Sequence, residues 1–153
     1  MSVWLPWHRE EQLREKIEGW GGYSRTWTDG PVLLQKLVGE HRVKALKVFT
    51  RINFVQLFGA KTSDAEVAHL KGCTQLEFLL LNRTAVTDAG LPHLERMTNL
   101  KYLYLDDTLV TDSGLSHLSK LTSLRELDIS GTAVTDRGVE ELKKALPACE
   151  IKH

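Results

Sequence analysis

The tightest constraint on this chain is a spacing. Ser63-Asp64, Thr87-Asp88, Thr111-Asp112 and Thr135-Asp136 repeat one type of dipeptide, with the aspartates at 64, 88, 112 and 136, always 24 residues apart. A unit recurring at such a period cannot bury an apolar face by itself and must stack on its copies, so the pattern predicts a solenoid. Every other residue then falls into a column.

Four units can be written out: INFVQLFGAKTSDAEVAHLKGCTQ from Ile52, LEFLLLNRTAVTDAGLPHLERMTN from Leu76, LKYLYLDDTLVTDSGLSHLSKLTS from Leu100 and LRELDISGTAVTDRGVEELKKALP from Leu124. Apolar residues recur at the first, fourth and sixth positions (Leu76, Leu79, Leu81; Leu100, Leu103, Leu105; Leu124, Leu127, Ile129). Alternation sends Leu79 and Leu81 to one side of a short strand and Phe78, Leu80 and Asn82 to the other. The recurring leucines are the buried side. After the strand, Thr87-Asp88 offers oxygen to the free amides at the start of a short helix, where Leu91, Leu94 and Met97 follow at a spacing of about three. The acidic residues at the helix starts are read as caps, and Ser63 with Glu66 has the capping-box spacing. Gly90, Gly114 and Gly138 mark close approach of adjacent turns or a relaxed backbone, since glycine is otherwise costly in a helix. Thr84, Thr108 and Thr132 form a column whose hydroxyls suit buried backbone groups; unit one has Ala60 there.

The pattern L-x-x-L-x-L-x-x-T-x-V is that of leucine-rich repeats. The core Thr-x-Val-Thr-Asp-x-Gly-Leu-x-x-Leu at Thr84 to Leu94 and Thr108 to Leu118, and at Thr132 to Leu142 with Val139 for Leu, resembles the leucine-rich repeat family abundant in bacteria, especially planctomycete-type genomes. It is similar, more distantly, to the cysteine-containing repeats of F-box substrate receptors. The resemblance covers the chain from Ile52 onward and implies an α/β solenoid with a short parallel sheet on the concave side and helices on the convex side, used for protein interaction. It carries over no catalytic residue.

Residues 1–51 do not repeat and hold all four tryptophans, Trp4, Trp7, Trp20 and Trp27. His8 to Trp20 reads as an amphipathic helix with Leu13, Ile17 and Trp20 on one face and Gly21-Gly22 as its stop. Tyr23 to Trp27 suits a strand, and Asp29-Gly30-Pro31 starts a second helix carrying Leu33, Leu34, Leu37 and Val38. An open first coil would expose the core, so residues 1–51 are expected to cap four repeats at 52–147, with residues 148–153 a last cap or strand. A membrane-surface role for Trp4, Leu5 and Trp7 is disfavoured by Glu10, Glu11, Glu15 and Glu18 in the same helix.

Lys+Arg and Asp+Glu number 20 each, which argues against nucleic acid or anionic membrane as the main partner. No apolar run reaches spanning length and the first residues lack a signal-peptide core, so a cytoplasmic protein is expected. Cys73 sits in a core column and Cys149 in the tail, and both read as free thiols. His69, His93 and His117 share a column, but adjacent helices stand roughly 8–10 Å apart whereas zinc needs its ligands at about 2 Å. No phosphate loop, nucleophile elbow or Cys-x-x-Cys is present. Neither a cofactor nor an enzyme is expected.

What varies is the outward side of the strands: Phe54, Gln56 and Phe58; Phe78, Leu80 and Asn82; Tyr102, Tyr104 and Asp106; Glu126, Asp128 and Ser130. Neighbouring strands lie about 4.8 Å apart, so Phe54, Phe78 and Tyr102 should form a touching aromatic ladder beside Leu80 and Tyr104. Such side chains bury on the order of 150–250 Å² each. The same face turns acidic at Asp106, Asp107, Glu126 and Asp128. The expectation is a concave binding surface for a protein or peptide with an apolar anchor beside Lys or Arg. The alternatives are a homodimer on the same face, coverage by the chain's own N-terminal arm with Trp4 and Trp7, and a small-molecule or carbohydrate site built from Gln56, Asn82, Asp106 and Asp128.

Overall fold

The computed structural model describes residues 5–26, 52–57, 59 and 61–153. Helix α1 (Leu5–Gly19) opens at Leu5 rather than His8 and ends ahead of Gly21, whose φ of +78° favours glycine. Its Leu13 and Ile17 are buried and Trp20 packs against the same core, on the face expected from their spacing. The helix expected after Pro31, and the places of Trp4, Trp27 and Ala60, lie outside the described residues.

Among the described residues, six strands form one sheet in chain order: β1 (Tyr23–Thr26), β2 (Ile52–Gln56), β3 (Phe78–Leu80), β4 (Tyr102–Tyr104), β5 (Glu126–Asp128) and β6 (Glu150–Lys152). β1 runs antiparallel to β2, and every later pair is parallel. Between strands lie α2 (Asp64–His69), a 3-10 helix at Asp88–Leu94, α3 (Asp112–Leu115) continuing as a 3-10 helix at Ser116–Lys120, and α4 (Asp136–Ala145). With only a few residues available in each unit, the return path tightens to 3-10 turns. The register sets Val55, Leu79, Leu103, Leu127 and Ile151 in one row. Leu79, Leu103 and Leu127 are fully buried, each stabilising the fold by about 1.5–3 kcal/mol through apolar burial. This is the α/β leucine-rich repeat solenoid expected from the period, with β1 paired to its first repeat strand and Leu13 and Ile17 of α1 joining its core.

The repeated aspartates do something other than cap their own helices. The threonine is the N-cap: its hydroxyl accepts from the N–H of Ala89, Ser113 or Gly138. The aspartate beside it reaches forward to the next unit. Asp64 accepts from the Thr87 N–H at 2.8 Å and the Thr87 hydroxyl at 2.7 Å, and Asp88 with Thr111 and Asp112 with Thr135 repeat both distances. The expectation that these carboxylates serve as caps is thus corrected: they bridge coil to coil. Both ends of the ladder are closed differently. The Ser63 N–H and hydroxyl both donate to its own Glu66 at 2.8 Å. Asp136 meets His153 at 2.7 Å.

The ladder also explains the glycine column. A Cβ on Gly90 would stand 2.6 Å from Asp64 Oδ1, and Gly114 and Gly138 face Asp88 and Asp112 even more closely. Of the two readings, close approach is the one the structure shows. The threonine column works within each unit: Thr84, Thr108 and Thr132 donate to the carbonyls of Leu81, Leu105 and Ile129 at 2.6 Å. These bonds satisfy carbonyls at the strand-to-loop corner, and each threonine directly follows a left-handed position, Arg83, Asp107 or Gly131, which Gly59 matches in the first unit.

Candidate protein-interaction face

The concave face is generated by register. Phe54, Phe78, Tyr102, Glu126 and Glu150 lie in one row across β2 to β6, and Gln56, Leu80, Tyr104, Asp128 and Lys152 in the next. Phe78 and Tyr102 stack with ring centres 4.6 Å apart and planes 5° from parallel, while Phe54 and Phe78 are tilted at 6.1 Å. The aromatic ladder therefore forms, and its members are half-buried rather than fully exposed. Phe58 lies outside the described residues.

One member was not anticipated. Tyr23 in β1 pairs in register with Gln56, which puts its side chain on the concave side, and its ring meets Phe54 edge-on at 6.0 Å. It is 50% exposed, the most exposed ring of the row. The alternation of Tyr23 with the core-facing Ser24 was the available signal, but antiparallel entry of this strand into the sheet lies outside the repeat pattern.

The acidic flank is less uniform than its composition. Glu126 is held by Lys152 at 2.7 Å and accepts from the Tyr104 hydroxyl at 3.1 Å. The Lys152 ammonium keeps the Glu126 carboxyl below its ordinary range, and Glu126 raises Lys152 in turn. Partial burial, then the Glu126 charge, pushes the Tyr104 phenol up. Asp107, at φ 55°, pairs with the exposed Arg83 at 3.4 Å. Asp106 has no ion pair among the described residues, and partial burial followed by the neighbouring Asp128 raises its carboxyl above the usual value. Asp128 accepts from the Ser130 N–H at 3.0 Å. What faces the solvent as uncompensated negative charge is the Asp106–Asp128 corner, next to Tyr104, with Asn82 half-buried in the same row as Asp106. Lys152, from the tail, is the residue that sequence reasoning missed here.

The histidine column is used piecemeal: His69 stacks on Trp20 at 5.3 Å, and His117 contacts Glu95, which also holds Lys120. Neither Cys73 nor Cys149 is joined to the other in a disulfide. No helix among the described residues is long and apolar enough to cross a membrane.

Residues 120–143 match a family model described as Leucine Rich repeat. The chain is similar to the crystal structure of an internalin from Listeria monocytogenes, at 26% identity and a TM-score of 0.53, over 65% of this chain and 27% of that one. It is also similar to a leucine-rich repeat protein of Leptospira interrogans, at 20% identity and a TM-score of 0.49, over 82% of this chain and 28% of that one. No curated protein matches. The chain is thus a leucine-rich repeat protein in fold, spanning just over a quarter of the length of either structure.

Proposed function

We propose that this chain is a non-catalytic protein-interaction module that binds a protein or peptide on its concave face. The observation that carries the reading is the Phe78–Tyr102 stack, a flat pair of rings at the sheet surface beside an uncompensated acidic corner. Buried aromatic contacts supply most of the energy at interfaces, while charges at their margin set orientation and association rate. The partner's chemistry follows: an apolar anchor over Phe54, Phe78, Leu80 and Tyr102, followed by a Lys or Arg near Tyr104, Asp106 and Asp128, with Gln56 and Asn82 offering hydrogen bonds along the way. The aspartates and threonines of the repeat motif are engaged with one another between coils.

Replacing Phe78 and Tyr104 together by serine should abolish partner capture while leaving the melting temperature nearly unchanged. A large loss of stability would instead mean that the chain's own N-terminal arm covers the face. Loss of a dimer in sedimentation would mean that the face serves self-association.

A further inference from the structure

The flank where the helices end and the strands begin carries a second set of bonds between coils. Lys101 Nζ donates to Glu77 at 2.9 Å and Lys120 Nζ to Glu95 at 2.6 Å, and in each case a cation takes a carboxylate from the coil before it. His117 shares Glu95 at 2.7 Å, and Lys120 with His117 keeps the Glu95 carboxyl below its ordinary range. On the same flank the Asn99 amide donates to the Thr74 carbonyl at 2.8 Å. This side of the solenoid is thus built to receive carboxylates across a coil boundary.

One period further on, the cations in these two columns continue and the carboxylates do not. Arg125 stands in the column of Lys101, and its neighbour in the coil before is Lys101 itself, whose carbonyl accepts from the Arg125 N–H at 2.8 Å. Lys144 stands in the column of Lys120, but Ser119 takes the place of Glu95, and Lys144 bonds Glu141 of its own helix at 2.8 Å. Arg125 and Lys143 have no ion pair among the described residues. All four of Lys120, Arg125, Lys143 and Lys144 are exposed. The helix dipole favours cations in the last turn of α4, which accounts for Lys143 and Lys144. Arg125, at a strand start, falls outside that reason. Formal neutrality of the chain hides this corner, because Asp107, Asp112 and Asp136 lie at the opposite end of the coils.

We propose that this corner, Arg125 with Lys120, Lys143 and Lys144, docks an acidic segment of a partner protein, whose Asp or Glu side chains extend the carboxylate series of Glu77 and Glu95. Carboxylate is favoured over nucleic-acid phosphate because the flank already holds carboxylates at two places. Units three and four also contain no Phe or Trp, and Tyr102 and Tyr104 lie on the concave face, so no such ring is placed here to stack on a base. The corner is separate from the aromatic row, so the inference stands independently of the proposed concave site. Exposed charge pairs contribute little singly, so the contact should be weak, salt-sensitive and dependent on several charges together.

Fluorescence anisotropy of labelled octaglutamate with the full 153-residue chain tests this. The variants are compared at about 0.1 M salt, where exposed charges beyond about 10 Å are largely screened. Arg125→Glu with Lys143→Glu should weaken binding about tenfold or more. Lys61→Glu with Arg137→Glu changes the net charge equally at the opposite flank and should weaken it less than about twofold. All four positions are exposed, and melting curves verify the fold before binding is compared. Amide shifts of the unaltered chain give a readout that needs no variant: octaglutamate should move those of Arg125 and Lys143 and leave Asp107 and Ala133 in place. A chain that does not bind millimolar octaglutamate overturns the proposal. So do equal losses in the two double variants, shifts centred away from Arg125 and Lys143, or an oligothymidylate of the same length that binds more tightly than the peptide.

Discussion

The contact between Asp64 and Gly90 turns the coil-to-coil ladder into a measurable coupling. Asp64→Ala leaves the Thr87 N–H and hydroxyl without their carboxylate, where bonds of 2.8 and 2.7 Å now stand. A hydrogen bond to a charged acceptor contributes about 1.5–3 kcal/mol, and with these groups half-buried water recovers part of the loss, so the pair should cost about 2–3 kcal/mol. Gly90→Ala puts a methyl group 2.6 Å from Asp64 Oδ1 and 3.2 Å from Val86 Cγ1. The carboxylate must swing away and give up the same two bonds, while alanine returns up to about 1 kcal/mol of helix propensity. The net cost should be about 1–2 kcal/mol. In the Asp64→Ala background the obstacle is gone, only the Val86 contact remains, and Gly90→Ala should be close to neutral. The double-mutant cycle, read by urea denaturation of the four proteins, should therefore show a coupling of about 1–2 kcal/mol. For a chain of this size that corresponds to a difference of roughly 2–8 °C in melting temperature. If Gly90→Ala costs the same in both backgrounds, to within about 0.5 kcal/mol, the glycine is there for another reason and the ladder argument fails.

Other outcomes follow from the same structure. Leu103→Ala, at a fully buried position in the central unit, should lose about 3–4 kcal/mol by chemical denaturation. Asp106 has a folded carboxyl raised by burial and by Asp128, so its charge opposes folding at neutral pH and ceases to as pH falls through its folded value. Asp106→Asn should therefore raise the melting temperature slightly at pH 7, and the difference should vanish near pH 3. The Glu126 carboxyl is depressed by Lys152, so its stabilisation is present above the unfolded carboxylate range and lost as pH falls through the lower folded value. Glu126→Gln should consequently lower stability at neutral pH and not in strong acid, opposite in sign to Asp106→Asn. Burial, then Glu126 and Glu150, pushes the Cys149 thiol up to about 11, so it should resist iodoacetamide at pH 8 in the folded chain and react once unfolded, as mass spectrometry would localise.

The parts of this molecule that repeat were legible in advance because period and alternation are local. Leu79, Leu103 and Leu127 share a column for the same reason that they share a core row, and the ring ladder follows from strand spacing once the columns are aligned. Relations between units were harder. That Asp64 bonds to Thr87 rather than to its own helix depends on where the next coil sits, and a capping aspartate looks the same in one dimension. The glycines carried the clue, since a column of Gly three residues beyond each bridged threonine means that something from the neighbour occupies the space of a side chain. On the concave face the row was legible, but its charge balance was not: Lys152 comes from a tail outside the four units and cancels Glu126, which moves the acidic centre to Asp106 and Asp128. Tyr23 was hidden for the same reason, because β1 joins the sheet antiparallel and belongs to no column.

The central claim, that the concave row is where a partner docks, can be tested by site-specific photo-crosslinking in lysate of the source cells. A benzoylphenylalanine side chain at Tyr104 lies on the concave face, and one at the exposed convex position Ser116 serves as control. The account predicts a discrete protein adduct from position 104, lost when Phe78 is also replaced by serine, and none from position 116. Adducts from position 116 alone, or adducts from 104 that persist without Phe78, would contradict it.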